Sequence, residues 1–290
     1  MRKLLSGPFA WHALDRLEIP GHGTDILRVD FPPKTDPEPM WGNGRPAHQR
    51  LSSYFSQTLD SQVEMLDRIL LRSDAYLAWP LQEAEEEPSL PWRNNEFFPP
   101  LDAIALFAFL CDHRPDRYIE IGSGVSTRVA AQARKHEKID MEIISVDPLP
   151  RAEVAALCDQ NLRIRLEDIE VSDFIDLVTS KSVVFFDGSH RCFPGSDVTV
   201  FFMEILPGLP SGTIVQIHDI YLPNDYPPKL MNRFWSEQYL LAAYMLGGEH
   251  RLRILFSSAY LETIQHSKES IQKRLGADSL GSCSIWLQVV

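Results

Sequence analysis

The sequence predicts an α/β fold in which helices cover both faces of a doubly wound, mostly parallel sheet of seven strands. The main support is alternation, because from residue 101 onward short β-rich runs are separated by segments with helical spacing. Runs such as SVVFFD at 182–187 and TIVQIHD at 213–219 are apolar on both faces, as strands between two helical layers must be. With 290 residues, 44% of them hydrophobic, the chain suits one large domain with an appendage.

The strands and helices are predicted in chain order from these patterns. The first strand begins at residue 117 and ends at Glu120, and the others are expected at 142–147, 162–167, 182–187, 213–219, 251–256 and 284–290. Helices are predicted at 49–72, 101–113, 125–137, 151–159, 173–178, 196–205, 232–246 and 266–275. The last two strands are expected to add an antiparallel edge to the sheet.

The first 92 residues differ in character from the rest. Residues 1–50 are rich in Pro and Gly and predict an irregular arm with a short strand at 26–30, followed by the helix at 49–72. The segment 82–100 is acidic and then Pro-rich, which is typical of a connector. We therefore divide the chain into an N-terminal arm with a helical extension, residues 1–92, and a sheet domain, residues 93–290.

Charge and cysteine usage restrict the partners. The chain has 40 acidic and 28 basic residues, a net charge of −12, which disfavours a nucleic-acid partner. No apolar stretch approaches the roughly 20 residues that span a bilayer, and the N-terminal segment lacks the apolar run of a signal peptide. The four cysteines are scattered without metal-site spacing, as in a reduced protein. We expect a cytoplasmic protein without a membrane partner, either a monomer or a homo-oligomer.

A glycine-rich turn follows the first predicted strand in YIEIGSGVST, residues 118–127. Gly122 and Gly124 allow close approach of a ligand to the backbone, and the helix that starts near Ser126 offers free N–H groups. In open α/β sheets, ligands lie at the carboxyl ends of the strands near the point where strand order reverses. The turn is therefore a candidate cofactor site, although many βαβ proteins carry a glycine-rich turn without that function.

Two classes of cofactor fit such a turn. A dinucleotide site would have G-x-G-x-x-G, but Thr127 stands at the third glycine position. Glu120, just before the first glycine, would repel a pyrophosphate and attract a cofactor with an ammonium and a sulfonium group. Asp147 ends the next strand and suits a contact with ribose hydroxyls in either case. The residues favour the cationic cofactor and leave the dinucleotide as an alternative.

The segment from Glu120 to Ser126 resembles the first motif of class I S-adenosylmethionine-dependent methyltransferases, E/D-x-G-x-G-x-G, with Ser126 in place of the third glycine. The resemblance implies a Rossmann-like methyltransferase fold with S-adenosylmethionine as cofactor. It implies that Gly122, Ser123 and Gly124 wrap the methionine part and that Glu120 supports the ammonium group. The implied binding residues are Glu120, Gly122, Ser123, Gly124, Ser126, Thr127, Asp147 for the ribose diol and Asp168 for the adenine amine.

A polar cluster follows the fourth and fifth predicted strands. The fourth ends in FFDGSH and the fifth in QIHDIY, so both strands deliver carboxylates and imidazoles to the sheet edge that carries the glycine turn. Such a cluster suggests a divalent cation, an acid/base pair, or both. The residues concerned are Asp187, His190, His218 and Asp219.

Residues 93–290 further resemble macrocin-type sugar O-methyltransferases, in NNEFFPPLDA, DGSH, GSDV, IHDIYLPNDYP and WSEQYLL. The resemblance implies Asp187 and Asp219 as ligands of a divalent cation such as Mg²⁺, and His190 as the base. His218 stands where that family has a second acid, which weakens the Mg²⁺ case and favours a softer metal or none. The expected metal set is Asp187, His218 and Asp219, and the expected catalytic set is His190, Asp187 and His218.

The expected activity is methyl transfer to a hydroxyl of a small molecule or sugar. His190 would remove the hydroxyl proton while a metal lowers the cost of the alkoxide. Two alternatives are an NAD-dependent oxidoreductase and a non-catalytic interaction module that keeps this fold. At the level of single residues, Asp187 and Asp219 could instead cap turns, and His218 could be a core histidine.

Overall fold

The computed structural model describes residues 37–247 and 251–290. Within this part of the chain, Glu38–Val290 form one compact unit. The strand predicted at 26–30 and most of the N-terminal arm lie outside the described residues, and the division at residue 92 stays a prediction. Among the described helices, none is long and apolar enough to cross a lipid bilayer.

The sheet has seven strands in the order β3-β2-β1-β4-β5-β7-β6. The strands are β1 (Arg117–Ile121), β2 (Glu142–Val146), β3 (Gln160–Leu162), β4 (Val183–Phe186), β5 (Ile214–Ile217), β6 (Leu252–Ser257) and β7 (Ile285–Val289). The first five are parallel neighbours, whereas β7 pairs antiparallel with both β5 and β6. This confirms the predicted doubly wound, mostly parallel sheet with an antiparallel edge.

Two layers of helices cover the sheet. The helices are α1 (Gln49–Gln57), α2 (Leu59–Leu70), α3 (Ser73–Leu77), α4 (Pro100–His113), α5 (Val125–Glu137), α6 (Ala152–Ala155), α7 (Val171–Asp176), α8 (Asp197–Val200), α9 (Leu206–Gly208), α10 (Pro228–Met231), α11 (Glu237–Gly247), α12 (Ser258–Leu261) and α13 (Gln265–Leu275). A π-helical turn at Phe201–Ile205 joins α8 to α9, and a 3₁₀ turn spans Leu166–Asp168.

Alternate residues of the strands feed two separate hydrophobic cores. On one face, residues such as Tyr118 and Phe185 pack with α2, α4, α5 and α13. On the other, residues such as Ile119 and Phe186 pack with α1, α7, α11 and the segment from α8 to α9. The helix α4 is apolar nearly all round and almost wholly buried, as expected of a helix enclosed between the sheet and an outer helix.

The helix predicted at 49–72 is divided at Thr58 into α1 and α2. Leu51 and Phe55 of α1 join one core, whereas Leu66 and Ile69 of α2 join the other. The two helices serve opposite faces of the sheet, so a single straight helix could not bury both sets.

The third strand also differs from the prediction, because it spans Gln160–Leu162 rather than 162–167. The alternating run after it does not pair with the sheet. Leu166 turns into the core from the 3₁₀ turn, whereas Ile164 is 36% exposed. The helices predicted at 151–159 and 232–246 are likewise shorter, spanning α6 and α11.

The strand order reverses between β1 and β4, since β2 and β3 lie on one side of that pair and β5 on the other. Beyond the strand ends, the amide of Gly122 donates to the carbonyl of Val146 (3.1 Å) and the amide of Asp187 donates to that of Ile121 (3.0 Å). These bonds continue the pairing of neighbouring strands past their ends, and a doubly wound sheet places its ligand at this edge, where the strand order reverses.

Candidate functional site

Two cavities open at the carboxyl ends of β1 and β4, and both are lined by Gly122, Asp187 and Gly188. The first, called here the Arg151 cavity, has a volume of about 300 Å³ and is bordered by residues 122–126, Phe97, Phe98, Arg151 and His190. The second, the Asp147 cavity, has a volume of about 390 Å³ and is bordered by residues 146–148, 165–167, Ser189, Ser196 and Asp197. The two cavities adjoin at these three shared residues, at the switch point of the sheet, and are together called the cleft.

Gly122 lines both cavities. Its φ angle is +82°, a left-handed conformation that other residues rarely adopt. A Cβ atom on Gly122 would lie 2.2 Å from the carbonyl oxygen of Asp187, which is too close for any side chain. Glycine is therefore required here by the close approach of the β1 and β4 loops.

Asp147 holds the glycine turn from the end of β2. Its Oδ2 accepts hydrogen bonds from the backbone N–H of Ser123 (3.0 Å) and from Ser123 Oγ (2.6 Å), while Oδ1 accepts from the N–H of Leu149 (2.8 Å). Asp147 also lines the cavity named after it. The carboxylate thus shapes the turn and faces the cleft, where a diol could share its oxygens.

Glu120 is fully buried at the end of β1. One of its oxygens accepts from the hydroxyl of Tyr118 (3.0 Å), and the other accepts a short hydrogen bond from Thr127 Oγ1. Burial raises the pKa of Glu120 to about 7, although hydrogen bonds from Ser126, Thr127 and Tyr118 act in the opposite direction. The carboxyl group therefore ties β1 to the start of α5 rather than lining either cavity.

Thr127 stands where a dinucleotide motif has its third glycine, and its side chain has a structural role in the turn. Its Oγ1 also accepts from the N–H of Gly124 (3.0 Å), so one hydroxyl links the turn to Glu120. Ser126 is 6% exposed, and with Ser123 and Gly124 it lines the Arg151 cavity. Asp168 lies on the exposed 3₁₀ turn, and within the described part of the chain it borders neither cavity, although Leu166 and Glu167 do.

The residues predicted as a metal set lie together at the ends of β4 and β5. One oxygen of Asp187, one of Asp219 and a ring nitrogen of His218 all lie within 4.8 Å of one another. Nδ1 of His218 is 3.8 Å from Asp187 Oδ2 and 3.7 Å from Asp219 Oδ2. Asp219 has a φ angle of +56° and His190 one of +64°, conformations that non-glycine residues adopt at a cost.

Asp102 and Cys283 lie on the other side of His218. Nε2 of His218 is 3.7 Å from Asp102 Oδ2 and 3.6 Å from Cys283 Sγ. Burial alone would lower the pKa of His218, but Cys283, Asp102 and Asp219 raise it well above 6.5. Asp102, in α4, is fully buried and accepts from the N–H groups of Cys283 (2.8 Å) and Ser284 (3.2 Å), so its carboxylate does not reach the cleft.

His190 faces the same pair of carboxylates. Its Nε2 lies 3.7 Å from both Asp187 Oδ1 and Asp219 Oδ2, and its Nδ1 is hydrogen-bonded to Oε1 of the fully buried Glu237 (2.7 Å). Burial alone would lower the pKa of His190, but Glu237 and the two aspartates raise it to about 9. The ring packs against Trp235, with the ring centroids 4.2 Å apart.

The loop after β5 is firmly anchored. Asp225 is 3% exposed; its Oδ2 accepts from the N–H groups of Met40 (2.5 Å) and Trp41 (3.1 Å), and its Oδ1 accepts from Tyr239 Oη (2.9 Å). Tyr226 is also buried. Through Asp225, the loop thus connects α11 to residues 40–41.

Sequence reasoning missed the partners that orient the two histidines. Glu237 precedes the apolar run of α11 and has the signal of an ordinary first-turn acid. Cys283 is one of four scattered cysteines. Although Glu237 lies in the quoted WSEQYLL segment, nothing local indicates either residue's histidine partner, because their roles follow from packing between distant segments.

Part of the chain matches a known protein family. Residues 119–220 match a family model described as a methyltransferase domain. An uncharacterized protein of Archaeoglobus fulgidus is 43% identical over 60 residues, which cover 20% of this chain and only 27% of that relative.

Three solved structures are similar at low identity. SAH-bound PaMTH1, a methyltransferase of Podospora anserina, has a TM-score of 0.41 at 12% identity, covering 83% of this chain and 94% of that one. The MycE methyltransferase of the mycinamycin biosynthetic pathway was solved with Mg, SAH and mycinamycin VI. It has a TM-score of 0.35 at 18% identity, and the match covers 62% of this chain and 47% of that one. A branched-chain polyamine synthase of Thermus thermophilus has a TM-score of 0.41 at 9% identity, and the match covers 75% of this chain and 63% of that one.

The match to the methyltransferase model supports the resemblance to class I S-adenosylmethionine-dependent methyltransferases. The residues that match the methyltransferase model, 119–220, include the glycine turn, Asp147, Asp187, His218 and Asp219.

Proposed function

We propose that this chain transfers the methyl group of S-adenosylmethionine to a hydroxyl of a small molecule or sugar. The observation that carries the proposal is the cleft itself. It crosses the glycine turn, passes Asp147 on one side, and ends on the other side at His190. A cofactor bound along it would have its methyl-bearing end beside the polar cluster.

The turn supplies the cofactor-binding groups. Gly122, Ser123, Gly124 and Ser126 border the Arg151 cavity and would surround the methionine part. Asp147 would accept hydrogen bonds from the ribose diol, and Asp168 is kept as the proposed contact of the adenine amine. Glu120 and Thr127 act from behind the turn, because their hydrogen bond fixes its shape.

His190 is the proposed proton acceptor for the hydroxyl. Glu237 holds Nδ1, which directs Nε2 toward the cleft. With a pKa of about 9 the ring is protonated at neutral pH in the ligand-free protein. Positive charge placed on Asp187 and Asp219 lowers that pKa, since these carboxylates are among the groups that raise it, and frees Nε2 for proton transfer.

Asp187, His218 and Asp219 are the proposed metal ligands. Nδ1 of His218 is buried without a hydrogen-bond partner among the described residues and lies near both carboxylates, so the donor set fits a divalent cation. A cation bound there would stabilise an alkoxide on the acceptor. Positioning of the hydroxyl beside the methyl group would supply much of the remaining rate.

The test is calorimetric titration of the full chain with S-adenosylhomocysteine and, separately, with NAD⁺. We expect micromolar binding of S-adenosylhomocysteine and none of NAD⁺. Release of S-adenosylhomocysteine from S-adenosylmethionine is then screened against paired acceptors that differ by a hydroxyl or an amine, with sugars first. Turnover should require the hydroxyl and should be lost in His190→Gln, while that variant retains cofactor binding.

Other outcomes identify the alternatives. Tight binding of NAD⁺ alone would mean an oxidoreductase, and binding of neither ligand would mean a non-catalytic module. A matched control is His266→Gln, because His266 is an exposed histidine on α13 outside the cleft.

A further inference from the structure

One buried histidine nitrogen points at two carboxylates without making a hydrogen bond. His218 is 3% exposed, and within the described part of the chain its Nδ1 has no hydrogen-bond partner. Asp187 Oδ2 and Asp219 Oδ2 lie 3.8 and 3.7 Å away, beyond hydrogen-bonding distance. Leaving a buried polar atom unsatisfied costs free energy, so the arrangement calls for a group that can occupy the space between these three atoms.

The donors define which group fits. Two carboxylate oxygens and one imidazole nitrogen converge, and no amide or guanidinium group within the described residues bonds to Nδ1 in their place. Magnesium prefers an all-oxygen set, whereas imidazole favours first-row transition metals. His218 supplies the only nitrogen among these three ligand atoms, and an acidic residue in its place would make all three of them oxygen.

The Nε2 side of the His218 ring, opposite the two carboxylates, contacts Asp102 and Cys283. Nε2 of His218 faces Asp102 Oδ2 at 3.7 Å, and Asp102 is fixed by Ser258 Oγ (2.6 Å) and the N–H groups of Cys283 and Ser284. Cys283 Sγ, 3.6 Å from Nε2, is the hydrogen-bond partner of the ring on this side, and it leaves Nδ1 facing Asp187 and Asp219 for a metal. Cys283 and Asp102 thus act as positioning residues for Nδ1.

We propose that His218, with Cys283 and Asp102 behind its Nε2, makes the site formed with Asp187 and Asp219 selective for a divalent first-row transition metal over Mg²⁺. The proposal rests on the proposed function for the purpose of the metal, but its test needs neither an acceptor nor turnover. His218 is a specificity-determining residue, and the relevant ions are Mn²⁺, Fe²⁺, Co²⁺ and Zn²⁺.

The experiment titrates the full chain with Co²⁺ in the presence of S-adenosylhomocysteine and follows the visible absorption bands of the bound ion, with Mg²⁺ as competitor. We expect one Co²⁺ site, and we expect Mg²⁺ to displace the ion only at about 100-fold higher concentration or more. In His218→Asp that preference should fall by at least about tenfold. His266→Asp, the same change on an exposed helix, should leave the preference intact.

Asp102→Asn tests the positioning role. It should weaken Co²⁺ binding by about 10- to 100-fold while the affinity for S-adenosylhomocysteine is retained, which a general loss of folding would not produce. Should either variant fail to fold, pulsed electron paramagnetic resonance of Mn²⁺ on the unaltered protein reports a coupled nitrogen nucleus directly.

Three results would overturn the inference: Mg²⁺ displacing Co²⁺ at comparable concentration, an unchanged Co²⁺ spectrum in His218→Asp, or no bound Co²⁺ at all. The last result with intact binding of S-adenosylhomocysteine would leave the proposed methyl transfer standing. Metal binding without binding of S-adenosylhomocysteine would instead remove the proposed function and keep the metal selectivity.

Discussion

At the scale of single residues, the two glycines of the turn have separate roles. Gly122→Ala places a methyl group 2.2 Å from the Asp187 carbonyl at a φ of +82°, so we expect a loss of about 2–5 kcal/mol in the free energy of unfolding. In Gly124→Ala the added methyl group meets no described atom within 4 Å. Gly124→Ala should change the free energy of unfolding by less than about 1 kcal/mol while weakening binding of S-adenosylhomocysteine, because Gly124 lines the Arg151 cavity.

Urea unfolding and calorimetry of both variants separate these effects. Equal loss of stability in the two variants would contradict the distinction between close backbone approach at Gly122 and open space at Gly124.

Asp147→Ala should weaken binding of S-adenosylhomocysteine by about 1–3 kcal/mol, or roughly 5- to 150-fold. The change removes the acceptor that fixes the N–H and hydroxyl of Ser123 and leaves a ribose diol unpaired. Calorimetry measures the effect, with Asp173→Ala on the exposed side of α7 as control. Unchanged affinity in Asp147→Ala would show that the ribose is held elsewhere.

The location of residues that belong to a local motif could be predicted from the sequence. The partners of residues that act through packing could not. Gly122, Asp147, Asp187 and Asp219 each follow a strand, and parallel strands bring their ends to one edge. Asp102 lies in α4, yet its oxygens accept hydrogen bonds from the segment before β7, more than 180 positions along the chain. Such a pairing has no signature in either segment.

At the scale of elements, the hydrogen bond between Glu120 and Thr127 joins the end of β1 to the first turn of α5. Burial raises the pKa of Glu120 to about 7 in the folded protein, whereas in the unfolded chain it is near 4.5. The folded state therefore holds a proton that the unfolded chain releases, so this group stabilises the fold below about pH 4.5 and loses that contribution as the pH rises to 7.

In Glu120→Gln the fall in the free energy of unfolding between pH 5 and 7.5 should be smaller by on the order of 1–3 kcal/mol. Urea unfolding at a series of pH values measures this slope, and Glu170→Gln, at an exposed position, is the control. A slope identical to that of the unaltered protein would show that the Glu120 carboxyl is ionised in the folded state.

The sequence predicted best those elements in which the spacing of apolar residues matches the residues that are buried in the fold. The helix α5 spans the predicted residues 125–137, and α4 differs from its prediction by one residue. The third strand was wrong because LRIRLE alternates in the right way, yet only Leu166 finds a buried place and the sheet ends beside Gln160–Leu162. Alternation predicts that a segment can be a strand, but the neighbouring chain decides whether it pairs.

At the scale of the whole molecule, the sheet order brings the site together. Reversal between β1 and β4 opens the cleft, and the insertion of β7 between β5 and β6 places Cys283 beside His218 and Asp219. The helix α11 then delivers Glu237 to His190. Strand alternation predicted the sheet and its antiparallel edge, whereas the contacts between α4, α11 and the strand ends depend on the assembled core.

The most direct measurement is a crystal structure of the chain with bound S-adenosylhomocysteine. The cofactor should lie along the cleft, with its adenosine part beside Asp147 and residues 165–167 and its sulfur on the His190 side of Gly122. Its amino-acid part should contact the turn at residues 122–126. A cofactor bound outside the cleft, or one that lies with its sulfur far from Asp187 and His190, would contradict the assignment of this edge of the sheet as the site of methyl transfer.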